Sequence, residues 1–134
     1  MSEQGMRGRI NKILKLQDAV SVENPAYPGT PDINYVEGWL ELKWMKRWPK
    51  NCDKSPVLIE HFTPQQRAWL LRRWKRGGNA FLLLQVGREY LLFNGRIASE
   101  IVGRADRDTL RQNVVGHWMN GLNTEEFKRC LDRN

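Results

Sequence analysis

The chain has 134 residues, of which 22 are lysine or arginine and 15 are aspartate or glutamate, giving a formal net charge of +7. This length predicts one domain over residues 1–134, and the positive charge favours a polyanionic partner, which an acidic protein surface would not. No apolar run reaches membrane length, and the amino terminus lacks the apolar segment of a secretory signal. We therefore expect a cytoplasmic protein without a membrane partner, with Cys52 and Cys130 as free thiols because they lack metal-site spacing.

The first predicted element is a helix over residues 3–16, for which Ser2 is a suitable N-cap. Its apolar residues recur at helical spacing, namely Met6, Ile10, Ile13 and Leu14. The basic residues around them either form the solvated side of the helix or contact phosphate. A short strand is predicted at 19–23, and three prolines then make residues 24–31 a rigid connector.

A β-hairpin is predicted next, with arms at 32–36 and 39–43 joined by a turn at Glu37-Gly38. This turn sets Asp32 opposite Lys43, with Asn34 facing Glu41 and Tyr35 facing Leu40. Because strand side chains alternate between the two sides of a sheet, one face carries the apolar residues Ile33, Tyr35, Leu40 and Leu42. The other face carries the polar residues Asp32, Asn34, Glu41 and Lys43.

This polar face has two interpretations. Asp32 and Lys43 can form an ordinary cross-strand ion pair on a solvated sheet. Alternatively, Asp32 and Glu41 hold a divalent cation together with the backbone carbonyl of Leu42, because neighbouring carboxylates repel unless a cation lies between them. Lys43 would then orient or deprotonate a water molecule at this ion. Glu23, at the end of the preceding strand, is a further candidate carboxylate.

The segment 44–56 mixes aromatic and basic side chains directly after the hairpin. Cations neutralise phosphates, and aromatic rings stack on exposed bases, so the segment is a candidate for nucleic-acid contact. The candidate residues are Lys46, Arg47, Trp48 and Lys50. The alternative is a surface loop whose tryptophans are fixed in the core.

A basic helix is predicted from Thr63, its N-cap, to about Arg76, with Gly77-Gly78 ending it. Gln66 is placed to complete the capping box. His61, just before this helix, is expected to be structural. The inward-facing residues are expected to be Leu70, Leu71 and Trp74, and the candidate nucleic-acid contacts on this helix are Arg67 and Arg73.

The remaining chain predicts a strand at 79–86, buried on both faces because it is almost continuously apolar. A turn at Gly87-Arg88 leads to a second strand at 89–93, and a turn at Asn94-Gly95 leads to an extended segment at 96–102. Two helices are predicted after these strands, at 106–120 and 124–131. Together these elements predict an α/β domain with a mixed sheet flanked by helices.

The order of these polar residues resembles a known nuclease motif. Pro31-Asp32, eight further residues and then Glu41-Leu42-Lys43 resemble the motif of the PD-(D/E)XK nuclease superfamily. Gln66 is similar to the glutamine that this superfamily carries on the helix after its Glu-x-Lys strand. The lead-in residues Gly29-Thr30 and Trp39-Leu40 are similar to those of small phage-type, VRR-NUC-like members, which are relatives of Holliday-junction resolvases. The resemblance covers about residues 8–93.

The resemblance implies a restriction-endonuclease-like fold, with extra helices at about 104–134. It also implies a DNA endonuclease that uses Mg²⁺ or Mn²⁺ to hydrolyse phosphodiester bonds, acting on branched or junction DNA as a homodimer in a phage-infected host cytoplasm. The implied catalytic residues are Asp32, Glu41, Lys43 and Gln66. One departure concerns the first helix, where related nucleases often carry a metal-site glutamate. Here Asn11 is the polar residue in mid-helix, and Glu3 lies at the helix start.

Two other functions stay open. The departure on the first helix favours a non-catalytic nucleic-acid-binding module that retains the nuclease fold. The intact set of Asp32, Glu41 and Lys43 argues against it, because binding alone needs no carboxylates near phosphate. A third possibility is an assembly protein that uses the fold as an interaction surface, which would show no salt-dependent affinity for DNA.

Overall fold

A computed structural model describes residues 2–22 and 29–132, in which a six-stranded mixed sheet has helices on both faces. The strands are β1 (Val20–Ser21), β2 (Ile33–Tyr35), β3 (Gly38–Met45), β4 (Asn79–Val86), β5 (Glu89–Asn94) and β6 (Gly116–Trp118). They lie side by side in chain order, and the central pair β3–β4 is parallel while the other neighbours are antiparallel. The predicted α/β class with a mixed sheet is therefore confirmed.

The helices are α1 (Glu3–Ile13), α2 (Pro64–Lys75), α3 (Gly95–Ile101), α4 (Arg107–Gln112) and α5 (Thr124–Cys130), with a short 3₁₀ helix at Lys15–Gln17 after α1. Helices α1 and α5 cover one side of the sheet, here called the α1 face, around a core that contains Met6 and Phe127. Helices α2, α3 and α4 cover the opposite α2 face, around Leu70 and Leu110. Within the described ranges, no helix is long and apolar enough to cross a membrane.

Strand β4 forms the centre of the sheet because its sequence is apolar on both sides. Phe81 and Leu83 belong to the core on the α1 face, and Leu82 and Leu84 belong to the core on the α2 face. The predicted burial of this strand on both faces is confirmed. Its parallel partner β3 is thereby held beside a rigid neighbour, and β3 carries two of the candidate site residues.

The predicted hairpin is present, but its predicted turn and register are wrong. The turn is Val36-Glu37, so Tyr35 pairs with Gly38 and Ile33 pairs with Leu40. Gly38 is the first residue of β3. Only glycine fits at this position, because a Cβ there would lie 2.2 Å from the carbonyl oxygen of Asn79. The register differs from the predicted one by two residues, and a shift of two preserves which face each side chain occupies. The polar face therefore survives, with Asp32 placed towards Glu41 instead of Lys43.

Two predictions for the second half of the chain are wrong. Residues 96–102 were expected to be extended, whereas Asn94 caps helix α3 by accepting a hydrogen bond from the backbone N–H of Ile97 (2.8 Å). The helix expected at 106–120 ends at Gln112, and β6 follows it and pairs with β5. The region 104–134 therefore adds a strand to the sheet in addition to two helices.

Most other local predictions are confirmed. Helix α1 has Ser2 as its N-cap, α2 begins with a capping box at Thr63, and α5 lies where the last helix was expected. Both cysteines are free thiols. Within α2, Trp69 and Leu70 are buried, but Leu71 is only partly buried and was wrongly expected to face fully inward.

Candidate active site

Strand β3 brings Glu41 and Lys43 to the same side of the sheet, because residues two apart in a strand share a face. Both are buried under α2, with Glu41 1% exposed and Lys43 4% exposed. Their side chains form an ion pair, with 3.1 Å between Lys43 Nζ and Glu41 Oε2. A buried ion pair needs further hydrogen bonds to offset its lost hydration, and the surrounding segments supply several.

Lys43 makes three such contacts. Besides Glu41, its ammonium donates to the backbone carbonyl of His61 (2.9 Å) and to Oε1 of Gln66 (3.3 Å). An ammonium has three N–H donors, so the described contacts use all of them. His61 adopts a left-handed backbone conformation, with φ of 62°, and its side chain is 88% exposed. The backbone of His61, and not its imidazole, therefore contributes to the cluster.

Gln66 makes the contacts of the capping box and also reaches Glu41. Its Oε1 accepts a hydrogen bond from the backbone N–H of Thr63 (3.0 Å). The backbone N–H of Gln66 in turn donates to Oγ1 of Thr63 (3.1 Å), which completes the capping box. Its Nε2 also donates to Oε2 of Glu41 (3.3 Å). The start of α2 is thus coupled directly to the carboxylate on β3.

Asp32 approaches the cluster from the segment just before β2. Its Oδ2 accepts a hydrogen bond from the backbone N–H of Leu42 (2.8 Å), and its Oδ1 accepts one from Arg7 on α1 (2.8 Å). The predicted ion pair between Asp32 and Lys43 is wrong, because Asp32 pairs with Arg7 while Lys43 pairs with Glu41. Asp32 and Glu41 nevertheless meet at the backbone of Leu42.

The carboxyl group of Glu41 is electrostatically unusual. Burial and the nearby charge of Asp32 together raise its pKa to about 8, although Lys43 acts in the opposite direction. Oε1 of Glu41 is buried, and within the described part of the chain it has no hydrogen-bond partner. A buried carboxylate oxygen without a partner is costly, so this position favours an additional cation or donor.

The chemical type of the available ligand atoms suits a hard divalent cation. Mg²⁺ and Mn²⁺ take carboxylate and carbonyl oxygens, and Asp32 and Glu41 offer two carboxylates, one with a buried oxygen that lacks a partner. The N–H and C=O of a strand residue point to the same side, so the carbonyl of Leu42 faces Asp32 as its N–H does. Across residues 2–22 and 29–132, no three His, Cys, Asp or Glu side chains gather as a metal site. Glu23 lies outside the described residues.

A cavity of about 370 Å³ opens beside Lys43. It lies between the start of α1 and the segment before α2, and its lining includes Glu3, Trp44 and His61. Asn11, the mid-helix residue at which related nucleases often carry a glutamate, instead donates to Oγ of Ser21 (2.7 Å). Of the two polar residues considered on the first helix, Glu3 is therefore the one beside the cluster.

The candidate nucleic-acid residues after β3 divide into two groups. Lys46, Arg47 and Lys50 are exposed. Trp48 instead packs against the core on the α2 face and donates its indole N–H to Glu89 (2.9 Å), as the alternative interpretation of this loop expected. The exposed cations remain candidates for phosphate contact, whereas Trp48 has a structural partner.

The two candidates on α2 also differ. Arg67 stacks over Phe62 at 4.3 Å and donates to the carbonyl of Ser99 (3.2 Å), and burial lowers its pKa. Arg73 is exposed and stacks over Trp69 at 4.6 Å. A guanidinium that stacks on a ring can still present N–H groups to phosphate, so Arg73 is the more accessible of the two.

Arg7 is the site residue that the sequence analysis missed. Its position one residue after buried Met6 and three before buried Ile10 places it at the margin of the apolar stripe of α1. Asp32 was expected to be partly buried, and a partly buried carboxylate needs a cationic partner. This requirement could have predicted a contact with a basic residue of α1. Comparison of the chain with protein-family models, curated proteins and solved structures found no match.

Proposed function

We propose that this protein is a divalent-metal-dependent endonuclease that hydrolyses phosphodiester bonds in DNA, with an active site like that of the PD-(D/E)XK superfamily. The observation that carries this proposal is the convergence of Asp32, Glu41, Lys43 and Gln66. They come from the start of the hairpin, from β3 and from α2, so the fold brings them together. Clusters with a strongly shifted pKa concentrate at functional sites, and Glu41 has such a shift.

The roles follow from these contacts. Asp32, Glu41 and the carbonyl of Leu42 would hold Mg²⁺ or Mn²⁺, which when bound supplies Lewis-acid activation and neutralises phosphate charge. The ammonium of Lys43 borders the cavity beside the cluster, where it stabilises negative charge that develops on the phosphate. Gln66 orients both Glu41 and Lys43. Preorganised groups of this kind lower the barrier because they need not reorient during the reaction.

The substrate is proposed to be DNA because the chain carries a net charge of +7 and exposed cations follow β3 directly. A structure-specific nuclease that cuts two strands of a branched substrate needs two sites. The homodimer implied by the resemblance therefore stays a prediction, and size-exclusion chromatography with light scattering would measure it.

One observation favours the second candidate function, a nucleic-acid-binding module without catalysis. Arg7 donates to Oδ1 of Asp32 at 2.8 Å, and Lys43 pairs with Glu41. Two cations thus already balance two carboxylates, and a divalent ion would have to compete with Arg7. The two candidates differ in whether the cluster holds a metal ion and cuts DNA.

The deciding experiment is cleavage of duplex, single-stranded, flap and four-way-junction DNA with Mg²⁺, Mn²⁺ or EDTA. Glu41→Gln keeps the shape of the side chain and removes the ligand, so we expect a loss of cleavage of about a thousandfold. Glu37→Gln is the matched control, because Glu37 is an exposed carboxylate in the turn of the same hairpin. Cleavage that needs metal and that only Glu41→Gln abolishes supports the nuclease. DNA binding without cleavage under every condition overturns it in favour of the binding module.

A further inference from the structure

A second cavity, of about 330 Å³, lies at the carboxyl ends of β3 and β4. Its lining includes Lys46, which follows β3, and Arg88, which lies in the turn after β4. Arg9 of α1 adds a third cation, and among the described residues that line the cavity none is acidic. Three cations gathered in one lining favour an anionic occupant, and the volume suits a group the size of one nucleotide.

Buried polar groups hold the cation of Arg9 in place. Oε1 of Gln85, a residue only 3% exposed, accepts a hydrogen bond from Nη2 of Arg9 at 3.1 Å. The hydroxyl of Tyr90 accepts another from the same nitrogen, and the guanidinium lies 5.5 Å from the centre of the Tyr90 ring. Nε2 of Gln85 donates to the carbonyl of Gly87 (2.9 Å), which fixes the adjoining turn. The cavity is therefore preorganised for its occupant.

Trp44 connects this cavity to the candidate active site. Its partly buried side chain lines both the 330 Å³ cavity and the 370 Å³ cavity beside Lys43. Lys43 and Lys46 are three strand residues apart, which is about 10 Å at a rise of about 3.3 Å per residue. A single DNA strand therefore spans the distance between Lys43 and Lys46 with a few nucleotides at most.

We infer that the 330 Å³ cavity is a subsite for one nucleotide of an unpaired DNA strand, close to the bond that is cut. Arg9, Lys46 and Arg88 bind its phosphate, and Trp44 stacks on its base. A base within a duplex is already stacked and paired, so an aromatic wall selects an unpaired one. The inference rests on the proposed function and narrows its substrate to DNA with an overhang, flap or loop beside the cut.

The test measures binding without cleavage, in EDTA, by fluorescence anisotropy of a labelled single-stranded oligonucleotide over a series of salt concentrations. Lys46→Gln/Arg88→Gln removes two cations of the subsite, and both residues are exposed. The slope of log affinity against log salt should become shallower by about 0.7, since the subsite binds one phosphate and each phosphate contact to a single strand contributes about 0.7.

The matched control is Arg96→Gln/Arg129→Gln, which changes the net charge equally and also alters exposed residues. Arg96 follows Asn94, which pairs with Phe81 at the amino end of β4. Arg129 lies in α5, near Asp132, which contacts Asn79 at the same end. Both control residues are thus remote from the subsite, and the control should keep the wild-type slope.

A second variant tests the aromatic wall. Trp44→Leu should weaken binding to the single strand about tenfold and leave binding to a blunt duplex unchanged. Because Trp44 packs against the core on the α1 face, circular dichroism must show that this variant is folded. If Trp44→Leu is not folded, the salt dependence of Lys46→Gln/Arg88→Gln alone tests the subsite.

The outcomes separate the inference from the proposed function. Equal slopes for the subsite and control variants overturn the inference, even if the wild-type protein cuts DNA. A shallower slope for the subsite variant supports the subsite, even if no DNA is cut in any metal. A blunt duplex that binds as tightly as the single strand, and loses as much affinity in Trp44→Leu, also overturns the selection for unpaired DNA.

Discussion

Gln66 joins the cap of α2 to the proposed active site, and two substitutions can separate its expected effects on stability and on cleavage. Thr63→Ala removes the N-cap of α2 but leaves the contacts of Gln66 with Glu41 and Lys43 available. Gln66→Ala removes its half of the capping box and both of those contacts. Each variant should lose about 1 kcal/mol of unfolding free energy.

Only Gln66→Ala should also lower the cleavage rate, by about tenfold to a hundredfold, because residues that orient metal ligands act on this scale. Urea denaturation and single-turnover cleavage of the same preparations would measure both effects. Equal cleavage by the two variants would show that Gln66 is only a helix cap.

We expect Arg7 to limit how strongly the proposed site holds a metal ion. Its guanidinium contacts Oδ1 of Asp32, so Arg7→Gln should free a carboxylate oxygen and tighten Mn²⁺ binding about tenfold. Titration calorimetry with Mn²⁺ would measure this change. Lys12→Gln is the control, because Lys12 is an exposed cation on the same helix. Weaker Mn²⁺ binding in Arg7→Gln would contradict competition and indicate that Arg7 only supports the fold.

The polar residues of the cluster were predictable from sequence because side chains alternate along a strand, and this alternation determines which face of the sheet each one occupies. Glu41 and Lys43 share a face in either register, and the register error of two residues kept Asp32 on that side. The partners were not predictable, since they depend on segments distant in sequence. Arg7 reaches Asp32 from α1, and the carbonyl of His61 reaches Lys43 from the segment before α2.

At the scale of elements, Glu89 joins segments that are distant in sequence. Its carboxylate accepts hydrogen bonds from Trp48 after β3 (2.9 Å) and from Arg111 on α4 (2.8 and 2.9 Å), and it lies 2.6 Å from His117 on β6. Although burial acts in the opposite direction, these donors lower the pKa of Glu89 to about 2. The network thereby links β6 and α4 to Glu89, the first residue of β5.

This lowered pKa gives a pH dependence of stability. A folded pKa of about 2 lies below the usual unfolded value of about 4.3. The contribution of Glu89 is therefore present above pH of about 5 and is lost as the pH falls towards 2. Glu89→Gln should cost about 2 kcal/mol of unfolding free energy at pH 7, a difference that shrinks to near zero in acid.

Urea denaturation at pH 7, 4 and 2.5 would measure this dependence. Glu125→Gln is the control, since Glu125 is 80% exposed in its pair with Lys128, and it should change stability by less than about 0.5 kcal/mol at every pH. A cost of Glu89→Gln that stays constant between pH 7 and 2.5 would contradict the ionic origin.

The elements that sequence patterns missed share a physical cause. Asn94-Gly95 was interpreted as a hairpin turn, but Asn also caps helices, and Ala98 and Val102 of the following segment are buried four residues apart, as helical spacing requires. Val114 and Trp118 continue the helical spacing of Leu110, although the chain leaves α4 after Gln112. Residues 116–118 are extended because they pair with β5. The spacing of apolar residues along the chain does not predict pairing with a strand that is distant in sequence.

At the scale of the whole molecule, the carboxyl end of β3 is the meeting point of both cavities. Lys43 borders one cavity, Lys46 borders the other, and Trp44 lines both. Helix α1 contributes to each as well, through Glu3 and Arg9. The position of α1 on the sheet therefore governs the candidate active site and the proposed nucleotide subsite together.

The carboxyl-terminal segment shares the core on which α1 packs. Phe127 of α5 is fully buried in the same core as Met6 and Ile10 of α1, and the hydroxyl of Tyr35 donates to the carbonyl of Leu131 (2.7 Å). The region 104–134 was expected to be an extension of the nuclease-like core, yet α5 completes the α1 face and α4 covers part of the α2 face. Removing residues 114–134 would uncover the core on the α1 face, and we expect the shortened chain not to fold.

Phe127→Ala tests this dependence without a truncation. Deleting a buried phenylalanine ring should cost about 3 kcal/mol, whereas Met119→Ala, which alters a residue 58% exposed, should cost less than about 0.5 kcal/mol. Urea denaturation would measure both changes. Because α1 packs on the same core, Phe127→Ala should also weaken binding of single-stranded DNA under conditions in which the protein stays folded. A cost below about 1 kcal/mol, together with cooperative unfolding of the shortened chain, would show that α1 is positioned without the carboxyl-terminal segment.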